Sequence, residues 1–435
     1  MLRLPVCLSL VLLAPALPAH DLYSLFNKAV LADPQLKAAR AQYHAVAETK
    51  NQARSGLLPQ VSASASSSAN KQTSSGTKYN YRSDSLSLNL TQPIFNYASF
   101  VKLKQAKATV KKANAELNAA YLELMVRVSE RYFSVLTSVD RLVYAESERT
   151  AIARQLEQAS KRFEVGLTAI TNVHEAKAAR DLAEAQVITA ENELANSREA
   201  LHEIINEDAA QLHRLKENIP MISPEPANME QWTATALKQN LTLQAAEHEV
   251  AVAKSEITIR KSGHLPTVDL VASQDQTETD GGSFGPRDTE TGSVELRLTV
   301  PLYSGGNTQS RTREANHLYA RARENHEKQR RSTVRQARDA YRGVVAGISR
   351  VRALKQAIVS TESAVQATQA GFRVGTRTIV DVLVSQRELY KAKSDYSTAR
   401  HEYVVNLLRL KLAAGTLSVS DLQVVNGWLS SESSH

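Results

Sequence analysis

Cysteine is almost missing from this 435-residue chain, and the single one, Cys7, lies in an N-terminal stretch expected to be removed. A mature chain without a thiol has no disulfide and no thiolate metal site. His20 or Asp21 would head it, so a lipoprotein-type anchor is not expected either. Aromatic residues make up only 5% of the sequence, low for an enzyme of this length. Past the N-terminal stretch no run of 18 uninterrupted apolar residues occurs, so no transmembrane helix is expected. The 11 histidines are scattered without an H-E-x-x-H pattern. The run Gly281 to Gly285 lacks the Lys-Ser/Thr of a phosphate-binding loop. No catalytic, cofactor or metal site is therefore expected, and the chain does not read as an enzyme. Its formal charge is +8, but 53 Lys and Arg are interspersed with 45 Asp and Glu without a basic block, which argues against nucleic-acid binding.

What is present begins with Met1 to Ala19: a positive charge at Arg3, an apolar run from Leu4 to Leu17, and a small residue at Ala19. That is the pattern of a signal peptide, read as residues 1–19. The remainder is a tandem duplication. The stretch Gly371 to Leu383, GFRVGTRTIVDVL, has a diluted copy at Arg162 to His174, RFEVGLTAITNVH. Residues 20–219 are read as the first repeat, 220–229 as a proline-containing linker, 230–415 as the second repeat, and 416–435 as a Ser-rich tail expected to pack loosely.

In each repeat a helical segment (Asp21 to Ser55; Trp232 to Ser262) ends at a small-residue breaker followed by proline. Period-two alternation follows. Val61, Ala63 and Ala65 interleave with serines, and Leu86, Leu88 and Leu90 with Ser85, Ser87, Asn89 and Thr91; Val268, Leu270 and Ala272, then Val294, Leu296, Leu298 and Val300, repeat the scheme. Four strands of about ten residues are expected, long enough to cross an outer membrane, joined by loops at Asn70 to Asn80 and Gln274 to Thr291. Long helical patterns come next. Neither Asn96 to Val165 nor Leu167 to Ile219 contains proline or glycine. Each hairpin of helices turns at a single glycine, Gly166 or Gly375, and carries a heptad seam of large residues (Val382, Leu389, Tyr396, Tyr403, Leu410) alternating with small ones (Ala392, Ala399).

Four amphipathic strands cannot close a barrel, and an open edge in lipid leaves backbone groups unpaired. Two copies would give eight strands, filled by side chains, whereas three would give twelve around water. A homotrimer is expected: mainly α, with a transmembrane β-barrel portion, four strands per tandem-duplicated protomer and long coiled-coil helical hairpins forming an α/β tube.

The duplication, the strand pairs, and above all VGTRTIVDVL at Val374 to Leu383 and VGLTAIT at Val165 to Thr171 resemble the TolC family of outer-membrane efflux and export channels. The resemblance implies a passive gated duct in the outer membrane, extending into the periplasm, that works with an inner-membrane transporter and a periplasmic adaptor in type I secretion or multidrug efflux. It also implies that Arg377 is a gate arginine, Phe372 holds the place of a gate tyrosine, and Asp381 is a constriction acid. Asn172 and Val384 stand where the family archetype has aspartates. Val165, Gly166 and Leu167, with Val374, Gly375 and Thr376, would form the turns and meet the adaptor. The competing reading is a periplasmic coiled-coil adaptor without a pore, which leaves the amphipathic strands unexplained.

Overall fold

The computed structural model describes residues 20–209 and 211–430, so the signal-peptide reading lies outside the described residues. The elements are α1 (Leu22–Ala32), α2 (Pro34–Ser55), β1 (Gln60–Ser74), β2 (Thr77–Phe95), α3 (Tyr97–Glu164), α4 (Ile170–Ile205), β3 (Arg214–Leu215), α5 (Met229–Gln239), α6 (Leu241–Lys261), β4 (Thr267–Thr279), β5 (Arg287–Thr299), α7 (Asn307–Arg373), α8 (Ile379–Ala414), α9 (Val419–Asn426) and β6 (Leu429–Ser430). They form two compact units, and each draws on both sequence repeats. Among the described residues, one contains 20–37, 120–209, 211–240 and 333–430; the other contains 38–119 and 241–332.

The second of these units holds an antiparallel four-stranded sheet in the order β1-β2-β4-β5. Its register carries the alternation across every strand. Val61 pairs with Leu90, Leu90 with Ala272, and Ala272 with Val294, while Ser62, Asn89, Ser273 and Ser293 form the neighbouring row on the opposite face. Hydroxyls bond along the polar face, Ser66 to Ser85 at 2.7 Å and Ser273 to Ser293 at 3.0 Å. The apolar face is not covered: Val294 is 75% exposed and Leu296 69%. Both outer strands, β1 and β5, offer an unpaired edge.

The strands are longer than the alternation suggests, with 15 and 19 residues in β1 and β2 and 13 each in β4 and β5. The expected loop at Asn70 to Asn80 is instead strand up to a two-residue turn, Ser75-Gly76, both with positive φ. That is the turn type whose twist matches paired strands. Polar residues beyond the apolar segment still satisfy their backbone in the ladder, so pairing outlasts the hydrophobic pattern.

In the other unit the helical hairpins are laced by a duplicated ion pair. Arg141 of α3 reaches Glu193 of α4 at 3.2 Å, and Arg350 of α7 reaches Glu402 of α8 at 2.9 Å, the same positions in the two repeats. Both pairs are half exposed and contribute at most about 1 kcal/mol each. The seam contributes more: Ala176, Ala183, Val187, Val382, Ala399, Tyr403 and Leu410 are all buried. The first return helix stops at Ile205, short of the expected Ile219, because Asn206 adopts a left-handed conformation and ends it. The tail also differs from the sequence expectation of loose packing. Ser418 and Asp421 form a capping box that starts α9, Leu422 and Val425 are buried, and β6 pairs with β3. Gly415 closes α8 at φ +74°, where an added Cβ would lie 2.4 Å from the Gln239 carbonyl oxygen.

Between α3 and α8 a polar group is buried. His401 Nδ1 lies 2.9 Å from the Thr137 hydroxyl, and Ser397 donates to Asp140. Burial pushes the imidazole down to about 3, with Arg400 nearby acting in the same sense. The folded state therefore keeps His401 neutral where the unfolded chain protonates it, and stability contributed by neutral His401 is lost as pH falls below about 6.5. Burial pushes the Asp140 carboxyl upward, an opposing effect at lower pH. We expect the stability of the wild type, followed through its thermal midpoint, to fall from pH 7 to pH 5 more steeply than that of His401→Gln, by up to about 1.4 kcal/mol of unfolding free energy per pH unit. Parallel midpoints in the two proteins would remove His401 as the cause.

Candidate functional site

The two hairpin tips are built by one backbone device. In the first, Gly166 (φ +73°) donates to the Phe163 carbonyl at 2.9 Å and Leu167 to the Arg162 carbonyl at 2.8 Å. In the second, Gly375 (φ +82°) donates to Phe372 at 3.2 Å and Thr376 to Gly371 at 2.9 Å. This is the Schellman ending, whose left-handed position favours glycine. No atom lies within 4 Å of a Cβ built on either glycine, so conformation and not space selects it. Val165 (68% exposed), Leu167 (68%) and Val374 (76%) project into solvent beside these turns. The fold leaves these three apolar side chains uncovered at the hairpin ends.

The chemistry of the two tips then diverges. In the second, Thr378 and Asp381 form a full capping box: Asp381 N–H donates to the Thr378 hydroxyl at 3.2 Å, and Thr378 N–H donates to Asp381 Oδ2 at 2.9 Å. In the first the corresponding residues are Ala169 and Asn172. Ala169 has no hydroxyl to accept a bond, and Asn172 gives its amide to the Thr168 hydroxyl at 2.5 Å. The sequence reading missed the Thr-x-x-Asp signal, which is a recognisable helix start.

Asp381 is held ionised. Hydrogen bonds from the Thr378 backbone and hydroxyl, then the nearby Arg377 charge, lower its carboxyl below the usual value. Arg377 itself is exposed, and its stem lies over Gly371, where an added Cβ would come within 2.7 Å of Arg377 Cγ. Gly371 thus has a role that sequence reasoning did not assign: it seats the Arg377 side chain and accepts from both Thr376 and Arg377 backbone N–H groups. Phe372 is half buried against the cluster Ile152, Ala159, Ala176, Ala183, Ile379 and Leu383, with Arg162 of the other tip 5.1 Å from its ring centre. The cation over the ring joins the two tips. Val384 is 41% exposed. The fold therefore gathers Phe372, Arg377 and Asp381 around one helix start, while Asn172 is engaged within its own tip.

A sequence profile described as Outer membrane efflux protein matches the chain twice, over residues 25–207 and 232–416. The chain is 38% identical to the Outer membrane protein TolC of Vibrio cholerae, over 99% of this chain and 98% of that one. It is 28% identical to the Alkaline protease secretion protein AprF of Pseudomonas aeruginosa, over 92% and 85% of the two chains. The fold is similar to that of the Campylobacter jejuni CmeC outer membrane channel, with a TM-score of 0.79 at 17% identity, covering 94% of this chain and 90% of that one.

Thr378→Ala removes the second tip's cap and should cost about 1 kcal/mol, read as roughly fivefold faster hydrogen exchange of the first amides of α8. Ala169→Thr with Asn172→Asp should slow exchange at the start of α4 by a similar factor. Unchanged exchange in both variants would show that the boxes do not set tip stability.

Proposed function

Because this chain belongs to the outer membrane efflux protein family, we propose that it forms the outer-membrane exit duct of an export system serving type I protein secretion, multidrug efflux or both. The observation that carries the proposal is the sheet: one face of Leu and Val, the other of hydroxyls and charges, and two edges left open. Among the described residues no helix is long and apolar enough to cross a membrane. Bilayer crossing therefore falls to the strands, whose edges must pair with those of other copies. Three copies supply twelve strands, enough to leave a water-filled interior lined by the Ser, Asn, Thr, Glu and Arg face.

In this reading the chain catalyses nothing, and an inner-membrane transporter supplies the work. A periplasmic adaptor docks on the tips through Val165, Leu167, Val374 and Thr376. Phe372 and Arg377 belong to the gate, and Asp381 contributes one negative charge per protomer to the entrance. Val384 adds none, so the ring carries about three charges in a trimer, and Asn172 offers Arg377 no charged partner. Neutral hydrogen bonds contribute less than charge-assisted ones, so the gate opens readily.

Purified mature protein should migrate as a heat-sensitive trimer and raise conductance in planar bilayers; a water-soluble single copy without conductance would overturn the proposal in favour of an adaptor. Block of that conductance by multivalent cations from the periplasmic side should weaken in Asp381→Asn. Equal block in wild type and variant would remove Asp381 from the entrance.

A further inference from the structure

We propose that one strip of α3 binds the anionic headgroups of the periplasmic leaflet through Lys104, Lys107 and Lys111 and so fixes how deep the barrel sits. The inference rests on the outer-membrane reading above. It starts at the end of β2, where a bulge between Pro93 and Phe95 shifts the register so that Phe95 pairs with Val268, whose other partner is Leu298. Phe95 therefore stands on the Leu/Val face that meets lipid. Ile94, Phe95, Tyr97 and Phe100 are 53%, 41%, 42% and 50% exposed, an aromatic cluster at the point where strand becomes helix. Aromatic residues gather at membrane interfaces in this way.

From Tyr97 the helix continues with one exposed face at Phe100, Lys104, Lys107 and Lys111, spaced by three and four residues. The flanks of this face are occupied within the same compact unit. Ala106 and Ala113 are buried on one side. On the other, Val101 and Ala115 are buried, Gln105 donates to Glu256 of α6 at 2.9 Å, and Lys112 pairs with Glu249 at 2.9 Å. Lys112 is thus neutralised by its neighbours, whereas among the described residues no carboxylate forms an ion pair with Lys104, Lys107 or Lys111. Three unpaired cations on one face, directly beyond an aromatic cluster, complement an anionic surface.

The distances agree. At 1.5 Å per residue, Lys104 lies roughly 6 Å beyond Phe100 and Lys107 roughly 10 Å, against a headgroup layer about 5–8 Å thick. Because α3 starts at the membrane, its side chains lean back toward it, since Cα–Cβ bonds tilt to the helix N-terminus. Long lysine stems extend that reach, and Lys111, roughly 16 Å away, acts through the screened field of the surface. Phosphates of the headgroup layer lie directly beyond the interfacial aromatic residues and within lysine reach, so the occupant assigned is an anionic phospholipid.

The test uses the trimer reconstituted in phosphatidylcholine vesicles doped with phosphatidylglycerol, with co-purifying lipid read by native mass spectrometry. The wild type should retain phosphatidylglycerol preferentially, and the Lys104→Gln, Lys107→Gln, Lys111→Gln variant should lose that preference by about tenfold, roughly 1.4 kcal/mol. Lys102→Gln, off the strip, should keep it, as should replacement of the three lysines by arginine. An unchanged preference in the triple variant, or equal loss in Lys102→Gln, overturns the assignment. So does binding to purified cell-wall sacculi that the triple variant loses while its lipid preference stays intact. Conductance in the same vesicles reports the channel separately: a conducting trimer without the lipid preference sinks this inference alone, whereas absence of conductance sinks the channel reading.

Discussion

The constraint on which the rest depends is that a backbone amide in hydrocarbon must find a partner inside the protein. A sheet of four strands in the order β1-β2-β4-β5 satisfies its inner ladders and leaves two edges unsatisfied. Each unpaired group in an apolar medium costs several kcal/mol, so an edge more than ten residues long cannot persist in lipid. The same four strands expose an almost continuous apolar face, which water disfavours. Neither solvent accepts the single chain, and both demands are met at once when edges of several copies pair and the apolar faces turn outward. Assembly is then a consequence of strand number and not an added property.

The duplication supplies these parts in pairs and then lets them drift. The backbone of the two tips is the same, down to the two hydrogen bonds that close each helix, because only the left-handed position constrains sequence there. The side chains around it are free to differ. At the position that is Gly371 in the second copy the first has Arg162; at the position of Thr378 it has Ala169, and at that of Asp381 it has Asn172. The residues lost from one tip are not replaced by equivalents. Instead the copies have become complementary: Arg162 of the first lies over Phe372 of the second, and Gly371 of the second makes room for Arg377.

Much of this was legible in the sequence, and the reasons are physical. Alternation with a period of two survives because one face meets lipid and the other water, so the two faces of the strands could be read directly from Val61 to Ala65 and Val294 to Val300. The helical tips were legible because a lone glycine in a long proline-free stretch has few other uses. What was not legible lay where burial stops marking structure. β1 and β2 run past Asn70 and Asn80 because ladders need no apolar residues once in water, and only the Ser75-Gly76 turn marks where they end. The end of α4 at Ile205 is set by Asn206 in a left-handed conformation, a choice many sequences permit and few compel. The tail was misread from its serines. One of them, Ser418, caps α9, and the apolar residues behind it are spaced to bury. In the candidate site the residue types were identified from resemblance; the Thr378-x-x-Asp381 box was legible but passed over, whereas the cation over the Phe372 ring depends on rotamers and on packing between two distant segments.

The magnitudes also decide where such a molecule can move. Opening the sheet would expose a whole row of ladder groups, each at a cost of about 1–3 kcal/mol or more. No binding partner of ordinary affinity supplies that sum. The tips are different. Their contacts are a capping box at about 1 kcal/mol and an exposed cation–ring pair at roughly 0.5–1 kcal/mol. Together they amount to a few kcal/mol, within reach of one docking interface. The low density of strong contacts around Gly166 and Gly375 therefore leaves the tips the part of the chain that rearranges at least cost, while the sheet resists opening. Any rearrangement placed in the ladder would have to break the pairing that keeps backbone groups out of lipid.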